Sequence, residues 1–141
     1  MLLATLLTTL TITFWQFDYC NEPDGARGKY FKDTQKIEVC NVPNKQERYF
    51  YALHEVWHHF YYVFLNDDER TTYKLMFNAS NALDFYRPYS STNADEDFAD
   101  NFALYFIPER AKGKYTGRIF ELKKQYINFL VSKYEKLQSK N

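Results

Sequence analysis

The stretch ALHEVWHHFYYVF, residues 52–64, decides the fold because it carries a helical pattern within the most aromatic part of the chain. Apolar or imidazole side chains recur every three or four positions there, the spacing of one face of an α-helix. Asn44 followed by Glu47 is a capping-box start for this helix. The pattern predicts a buried helix of about twenty residues that begins after Asn44. Its predicted buried stripe comprises Phe50, Leu53, His54, Trp57, His58, Tyr61 and Leu65.

The composition is that of one globular domain. The chain has 141 residues, of which 45% are hydrophobic, enough for one core and too few for two domains. Its 18 basic and 18 acidic residues give a net charge of zero, so no broad field would attract nucleic acid. We expect a single domain over residues 1–141, mainly sheet over 1–42 and mainly helical over 43–141, that does not bind nucleic acid and is a monomer.

The first seventeen residues, MLLATLLTTLTITFWQF, carry no charge. They lack the basic start of a signal peptide, and their threonines make them too polar for a membrane span of about twenty apolar residues. Strand signals run from about Thr9 to Cys20, and the alternation from Thr9 to Phe14 has a period of two. We therefore expect a strand after a short amphipathic start, no membrane partner, and a cytoplasmic rather than secreted protein.

The rest of the chain predicts an α+β fold. Residues 29–40, KYFKDTQKIEVC, form a predicted hairpin that turns at residues 32–35, which implies a small antiparallel sheet. Cys20 and Cys40 are too few for a disulfide framework and lack metal-type spacing, so they are either buried apolar residues or one optional bridge.

Three helices should follow the buried one, with a loop over residues 84–93. They are predicted over residues 69–83, 93–107 and 116–137. Pro108 ends the second of these, and Asp95 and Asp97 near its start should interact favourably with the helix dipole. In the last helix, the lysines should face outward. Its predicted core face comprises Ile119, Leu122, Tyr126, Phe129, Leu130 and Leu137.

All three histidines of the chain lie in residues 52–64. His54 and His58 are four positions apart, so both imidazoles project from the same side of a helix and can bind one zinc ion. Glu55 lies about 100° further round the helix, where it can hold a water and act as a general base. The alternative is a pair of core histidines satisfied by hydrogen bonds. His59 lies off the line of the pair and is expected to be structural.

Catalytic zinc usually has three protein ligands and one position for water, so a third donor is required. With every histidine already placed, this donor must be a carboxylate or a cysteine, and residues 91–106, STNADEDFADNFALYF, are the richest candidate. Glu96 and Asp100 share a helical face with Ala99 and Ala103, whose small side chains allow close approach to the histidine helix. We expect Glu96 to bind the metal and Asp100 to accept the free N–H of a metal-bound imidazole.

With these residues in place, the sequence resembles the gluzincin metallopeptidases, especially the catalytic domain of anthrax lethal factor and the small single-domain minigluzincins. The likeness lies in His54-Glu55-x-x-His58 and in residues 96–106, EDFADNFALYF. That segment is similar to the family pattern Glu-x-Phe-Ala-Glu-x-Phe-Ala, with Asp100 in place of the second glutamate. Weaker likeness extends over most of the chain after about Gly28.

The resemblance implies a zincin-like fold, in which a small antiparallel sheet packs on an active-site helix, a glutamate-bearing helix and a C-terminal helix. It implies a zinc endopeptidase that cleaves peptides or proteins through a metal-activated water, with Glu55 as the base. Tyr89, seven residues before Glu96, matches a tyrosine that assists the tetrahedral intermediate in lethal factor, and Tyr86 is its nearby rival. The sequence departs from the family at Trp57, where glycine is common.

Two other classes of function are consistent with the sequence. The chain could be a catalytically silent or latent zincin-fold regulatory module with structural zinc, although such a module has no use for Glu55. Alternatively, the motif is accidental and the chain is an aromatic-rich interaction protein without a metal.

Overall fold

The computed structural model of the protein describes residues 2–23, 26–114 and 117–140. Within these ranges the architecture is α+β, as predicted. The strands are β1 (Thr11–Trp15), β2 (Gly28–Phe31) and β3 (Lys36–Cys40). The helices are α1 (Leu2–Thr8), α2 (Lys45–Val63), α3 (Asp67–Asn78), α4 (Ala94–Phe106) and α5 (Arg118–Ser139). Short 3-10 turns cover Asp18–Asn21, Ala82–Asp84, Pro88–Ser91 and Pro108–Ala111.

The sheet is mixed, with the strand order β1-β3-β2. β2 and β3 form the predicted antiparallel hairpin, but β1 pairs with β3 in parallel, so the expectation of an antiparallel sheet is wrong for this pair. β3 takes the centre because Ile37 and Val39 are both fully buried, whereas β1 has no fully buried residue. Because β3 is central, β1 and β2 lie on opposite sides of it, and β2 is the strand that runs antiparallel to the other two.

The N-terminal segment begins with a helix. Leu2 and Leu6 of α1 are fully buried in the main core, which confirms a short amphipathic start. The strand that follows is shorter than predicted, because residues 18–21 form a 3-10 turn instead. None of the described helices combines the length and the hydrophobicity that a membrane span requires.

α2 is the central helix, and the prediction of its buried stripe is confirmed. Asn44 caps it by accepting a hydrogen bond from the backbone N–H of Glu47 at 3.0 Å, and every residue of the predicted stripe is buried. α2 packs most extensively on α4, where Ala99 and Ala103 are fully buried. Trp57 is also fully buried, with its ring 5.1 Å from that of Phe98, so it fills the core between the two helices.

The structure differs from the predictions for the role of Asp97 in α4 and for the buried face of α5. α4 begins after Asn93 and ends before Pro108 as expected, but Asp97 is fully buried and forms an ion pair with Lys123 of α5 at 2.8 Å. Its role is therefore not limited to the helix dipole. The predicted core face of α5 is wrong at three of its six members, because Leu122, Phe129 and Leu137 are 40%, 56% and 48% exposed, whereas Leu130 is fully buried as predicted. The observed buried face comprises Phe120, Lys123, Ile127, Leu130 and Val131.

The physical reason lies in the composition of α5, which has apolar residues around most of its circumference. Periodicity alone cannot choose between two apolar faces. The choice follows from Lys123, whose ammonium group is fully buried and also donates to the backbone oxygen of Asp84 at 2.9 Å. These polar partners draw Lys123 inward, against the expectation that the lysines face outward. The predicted start of the helix at residue 116 lies outside the described residues.

Candidate metal centre

Three potential ligand atoms from two helices converge at one point. His54 and His58 come from successive turns of α2, and Glu96 comes from the first turn of α4. His54 Nε2 lies 2.8 Å from Glu96 Oε2 and 3.2 Å from His58 Nε2, and His58 Nε2 lies 3.4 Å from Glu96 Oε2. The structure thus brings together the three residues that the sequence proposed as a ligand set.

The start of α4 holds Glu96 in place. The Asn93 side chain accepts a hydrogen bond from the backbone N–H of Glu96 at 2.9 Å, which fixes the first helical turn. Ala99, one turn further on, is fully buried and lets α4 approach α2 closely enough for the carboxylate to reach both imidazoles. The N-cap and the small residue in the interface therefore position this side chain.

The spacing of the three atoms fits zinc. Zinc lies about 2.1 Å from imidazole nitrogen and carboxylate oxygen, so tetrahedral ligand atoms are about 3.4 Å apart. The observed separations of 2.8 to 3.4 Å are close to this value. Two imidazoles and one carboxylate are also a donor set typical of catalytic zinc, with one position left for water. Among the described residues, no other group of three ligand-type side chains converges in this way.

Asp100 contacts His54 on the side of the imidazole that faces away from the ligand cluster. Its carboxylate lies 2.8 Å from His54 Nδ1, which is the nitrogen turned away from the ligand cluster. A proton on Nδ1 directed at this carboxylate leaves Nε2 free as a donor atom for a metal. Arg87 donates to the same carboxylate through Nε at 2.7 Å and Nη2 at 2.8 Å, and Ser90 Oγ donates at 2.7 Å.

The carboxylates control the protonation of the site. Burial by itself would lower the pKa of His54, but hydrogen bonds to Asp100 and Glu96 outweigh burial and raise it to about 10. Burial would raise the pKa of Asp100, yet hydrogen bonds from His54 and Arg87 lower it to about 2. The pKa of Glu96 is likewise well below its usual range, because its hydrogen bonds to both histidines outweigh its burial. Both carboxylates are therefore ionised near neutral pH, which favours binding of a cation, and a metal that binds His54 Nε2 would displace the proton that this nitrogen carries in the metal-free site.

Glu55 lies next to the ligand cluster, beneath strand β2. Its side chain is 5% exposed, and burial raises its pKa against the opposing effect of His54 and His58. Gly28 makes room for it, since a Cβ atom at that position would lie 2.7 Å from Glu55 Cγ and 2.9 Å from Oε1. β2 can therefore run directly over the carboxylate only because residue 28 has no side chain.

Tyr89 lies at the edge of the site, as the sequence proposed. Its ring is 6.1 Å from that of His54, and its side chain is 38% exposed. Burial and the charges of Glu96 and Glu55 raise its pKa, so the phenol keeps its proton and can donate a hydrogen bond. The rival Tyr86 instead packs against Phe50, with ring centroids 5.7 Å apart.

An open cleft of about 300 Å³ leads to the centre. One side is strand β2, an edge of the sheet, and the other is formed by side chains of α2, α4 and the loop between α3 and α4. Exposed aromatic rings of Phe31, Tyr62 and Tyr89 line the opening, and Glu55, His58 and Glu96 lie at its base. The candidate base and two of the candidate ligands therefore form the base of a cleft that opens to solvent.

His59 has no part in the cluster. Its Nδ1 lies 2.9 Å from the hydroxyl of Tyr30 on β2, and its Nε2 lies 3.4 Å from Thr9 Oγ1. Burial lowers its pKa, which is consistent with a neutral ring that links α2 to the sheet. The expectation that His59 is structural agrees with this placement.

Sequence reasoning missed three residues of the site. Arg87 and Ser90 reach Asp100 from an irregular loop, and Gly28 is defined only by its contact with Glu55. One signal for Arg87 was available, since a buried Asp100 needs a compensating cation and the loop over residues 84–93 contains only this one. No comparable signal identified Ser90 or Gly28.

Comparison with known proteins gives no match to a family model, to a curated protein or to a solved structure. The likeness to gluzincins thus remains a prediction from the motif residues.

Proposed function

We propose that this chain is a zinc-dependent endopeptidase of the gluzincin type. The observation that carries the proposal is the convergence of His54 Nε2, His58 Nε2 and Glu96 Oε2 beside the buried carboxylate of Glu55. If His54 and His58 were only core histidines satisfied by hydrogen bonds, they would need neither an adjacent base nor a cleft that leads to the histidines.

His54, His58 and Glu96 would hold the zinc. The bound ion would supply Lewis acidity, which lowers the pKa of a water molecule and polarises the carbonyl group of a peptide. Asp100 keeps the proton of His54 on Nδ1, and Arg87 and Ser90 keep Asp100 in place. The imidazole is therefore already oriented before a metal binds. Carboxylates that accept a hydrogen bond from a metal-binding histidine usually have this role.

Glu55 would move the proton. It removes a proton from the attacking water as the new C–O bond forms at the carbonyl carbon. It would then pass this proton to the amide nitrogen as the C–N bond breaks, so that the products are a carboxylic acid and an amine, between which the remaining proton of the water is transferred to give a carboxylate and an ammonium group. A pKa raised by burial suits both steps, because the group must accept and return a proton near neutral pH.

Tyr89 would stabilise the oxygen that gains negative charge. Its protonated phenol lies on a loop at the mouth of the cleft, where it can donate a hydrogen bond as charge develops. The unpaired edge of β2 lies on the opposite side of the cleft and can hold an extended peptide by backbone hydrogen bonds. The substrate class is accordingly a peptide or protein segment in extended form.

The open cleft favours catalysis over a purely structural zinc. Structural zinc sites are usually closed by four protein ligands, whereas three converge here among the described residues and the site adjoins a cleft of about 300 Å³. The alternative is a silent or latent module with structural zinc, and a cleavage assay distinguishes this module from an enzyme.

The test compares the wild type with Glu55→Gln in a mixed-peptide cleavage assay read by mass spectrometry, with zinc measured in both proteins. We expect the wild type to cleave and Glu55→Gln to keep its zinc while losing activity by at least about 100-fold, because general-base catalysis contributes that much. Glu109→Gln, a change of the same type at an exposed position, should behave as wild type. If the wild type binds zinc but cleaves nothing, the silent module is correct.

A further inference from the structure

A small cavity of about 90 Å³ adjoins the cleft that leads to the candidate metal centre. The walls that the cavity and the cleft share are Ala26, Gly28, Glu55 and Tyr89. A group bound in the cavity would therefore lie next to the candidate base. The remaining walls of the cavity are Tyr51, His54, Arg27 and Arg87.

Arg87 presents an unused hydrogen-bond donor at this cavity. Its Nε and Nη2 donate to Asp100 at 2.7 Å and 2.8 Å, so one edge of the guanidinium group is occupied. Its Nη1 makes no hydrogen bond within the described part of the chain and is accessible to solvent, and 28% of the side chain is exposed. Nη1 can therefore donate to a group that enters the cavity.

The surroundings hold the guanidinium group of Arg87 in a fixed position. Its Cζ lies 4.9 to 6.0 Å from the centres of three aromatic rings, those of Phe50, Tyr51 and Tyr89. Together with the two bonds to Asp100, these rings leave the group little freedom to turn. The donor is thus in place before a ligand binds, which lowers the entropic cost of binding.

Arg27 adds a second positive charge at the cavity. Its Nη1 donates to the backbone oxygen of Cys20 at 3.1 Å, which holds the side chain in place. With zinc bound, the ion and the two arginines would carry four positive charges. The carboxylates that contact the ion, the cavity or Arg87 would carry no more than three negative charges, on Glu55, Glu96 and Asp100. The site therefore has positive charge left for an anion.

We propose that this cavity binds a carboxylate of the substrate, on the residue next to the scissile bond. The inference rests on the proposed function, because it names the residue that the peptidase would prefer. A carboxylate is the planar acceptor that a guanidinium group matches best. An apolar cavity of about 150 Å³ holds benzene, so about 90 Å³ admits a group the size of acetate and excludes a ring. The carboxylate is therefore that of an aspartate side chain or that of a chain end.

The binding test compares three compounds of nearly the same size. N-acetylaspartate α-amide has a side-chain carboxylate, N-acetylasparagine has a chain-end carboxylate, and N-acetylasparagine α-amide has neither. Binding to the zinc-loaded wild type is measured by calorimetry and mapped by amide chemical shifts. We expect one of the acids to bind at least about tenfold more tightly than the neutral compound, as one charge-assisted hydrogen bond predicts, with shifts at residues 26–28, 51 and 87–89. Equal binding of all three, or shifts elsewhere, would overturn the proposal.

A pair of matched variants shows whether the acid binds in the cavity or directly to the metal. Arg87 is left intact because it also holds Asp100. Arg27→Gln should weaken binding of the acid by about threefold or more and leave binding of the neutral compound unchanged. Arg118→Gln makes the same change at an exposed position and should behave as wild type. If the acid binds Arg27→Gln as tightly as it binds the wild type, the proposal is wrong.

A cleavage assay separates this inference from the proposed function. Peptide pairs differ only in the carboxylate that the binding test identifies, either aspartate against asparagine beside the cleaved bond or a free against an amidated C-terminus. We expect kcat/KM to be at least about tenfold higher for the acidic member. Equal cleavage of both members would leave the peptidase standing and refute the inference. Tight binding of the acid without any cleavage would support the carboxylate site and refute the proposed peptidase.

Discussion

His54 links the two layers of the proposed metal centre. Its Nε2 faces Glu96 at 2.8 Å, and its Nδ1 faces Asp100 at the same distance. Asp100 is in turn held by Arg87, which makes two hydrogen bonds to it. Two polar groups in series, Asp100 of α4 and Arg87 of the loop before it, therefore fix this imidazole.

Gly28 is the residue whose replacement should separate catalysis from metal binding. In Gly28→Ala, the new Cβ would lie 2.7 Å from Glu55 Cγ, so the carboxylate must move, while the ligand atoms stay in place. We expect a loss of kcat by at least about tenfold, because displacement of a catalytic group by about 1 Å is costly. Zinc affinity should be unchanged. Cleavage at the wild-type rate would show that Glu55 is not held by this contact.

Sequence reasoning found the three residues that converge, and the carboxylate beside them, because a helix has a fixed period. His54, His58, Glu96 and Asp100 are each paired at a spacing of four, which places both members of a pair on one face. Arg87 belongs to an irregular loop, whose conformation follows no period and therefore cannot be predicted from spacing. The same limit applies to Gly28, since its role depends on a contact with a distant part of the chain.

At the scale of elements, buried polar groups fix how the helices meet. Glu69 at the start of α3 caps its own helix through the backbone N–H of Asn66 at 3.1 Å. It also accepts hydrogen bonds from Lys133 and Tyr134 of α5. Lys123 plays the corresponding role between α5 and α4 through Asp97. These contacts select the buried face of α5, which the apolar pattern alone left undetermined.

Glu69 should make the docking of α3 on α5 sensitive to acid. Burial would raise its pKa, but hydrogen bonds from Lys133 and Tyr134 outweigh burial and lower it. A lowered folded-state pKa means that the stabilisation is complete above the unfolded-state value and is lost as the pH falls through the folded-state value. Glu69→Gln should therefore lower the free energy of unfolding by about 2 kcal/mol at pH 7 and by less at pH 3.

Urea denaturation of wild type and Glu69→Gln at both pH values measures this difference. Asp68→Asn, at an exposed position of the same helix, is the control and should show little change at either pH. A stability difference that is equal at pH 3 and pH 7 would contradict the assigned role of the carboxylate.

At the scale of the whole molecule, a disulfide joins the end of β3 to the segment between β1 and β2. Cys20 and Cys40 are bonded, which decides between the two alternatives that the sequence left open. The bond anchors the connection between β1 and β2 to the end of β3, and β2 forms one side of the cleft that leads to the candidate metal centre. Disulfides persist mainly in oxidising compartments, so this bond weighs against the cytoplasmic location expected from the first seventeen residues.

Removal of the disulfide should destabilise the fold. The bond closes a loop with a sequence separation of 20 residues, for which the loss of chain entropy on cross-linking is about 3 kcal/mol. We expect Cys20→Ser with Cys40→Ser to lower the free energy of unfolding by roughly this amount, measured by urea denaturation. Adding a thiol reductant should destabilise the wild type but not the double variant. Equal stability of the two proteins under oxidising conditions would refute the assignment.

The zinc stoichiometry of the purified protein tests the central claim most directly. After saturation with zinc and removal of the excess by gel filtration, elemental analysis should find one zinc per chain in the wild type. The variant His58→Ala with Glu96→Ala removes two of the three proposed ligands, and we expect it to retain almost none while circular dichroism shows a folded protein. A folded wild type that retains no zinc, or a double variant that retains as much as the wild type, would contradict the account.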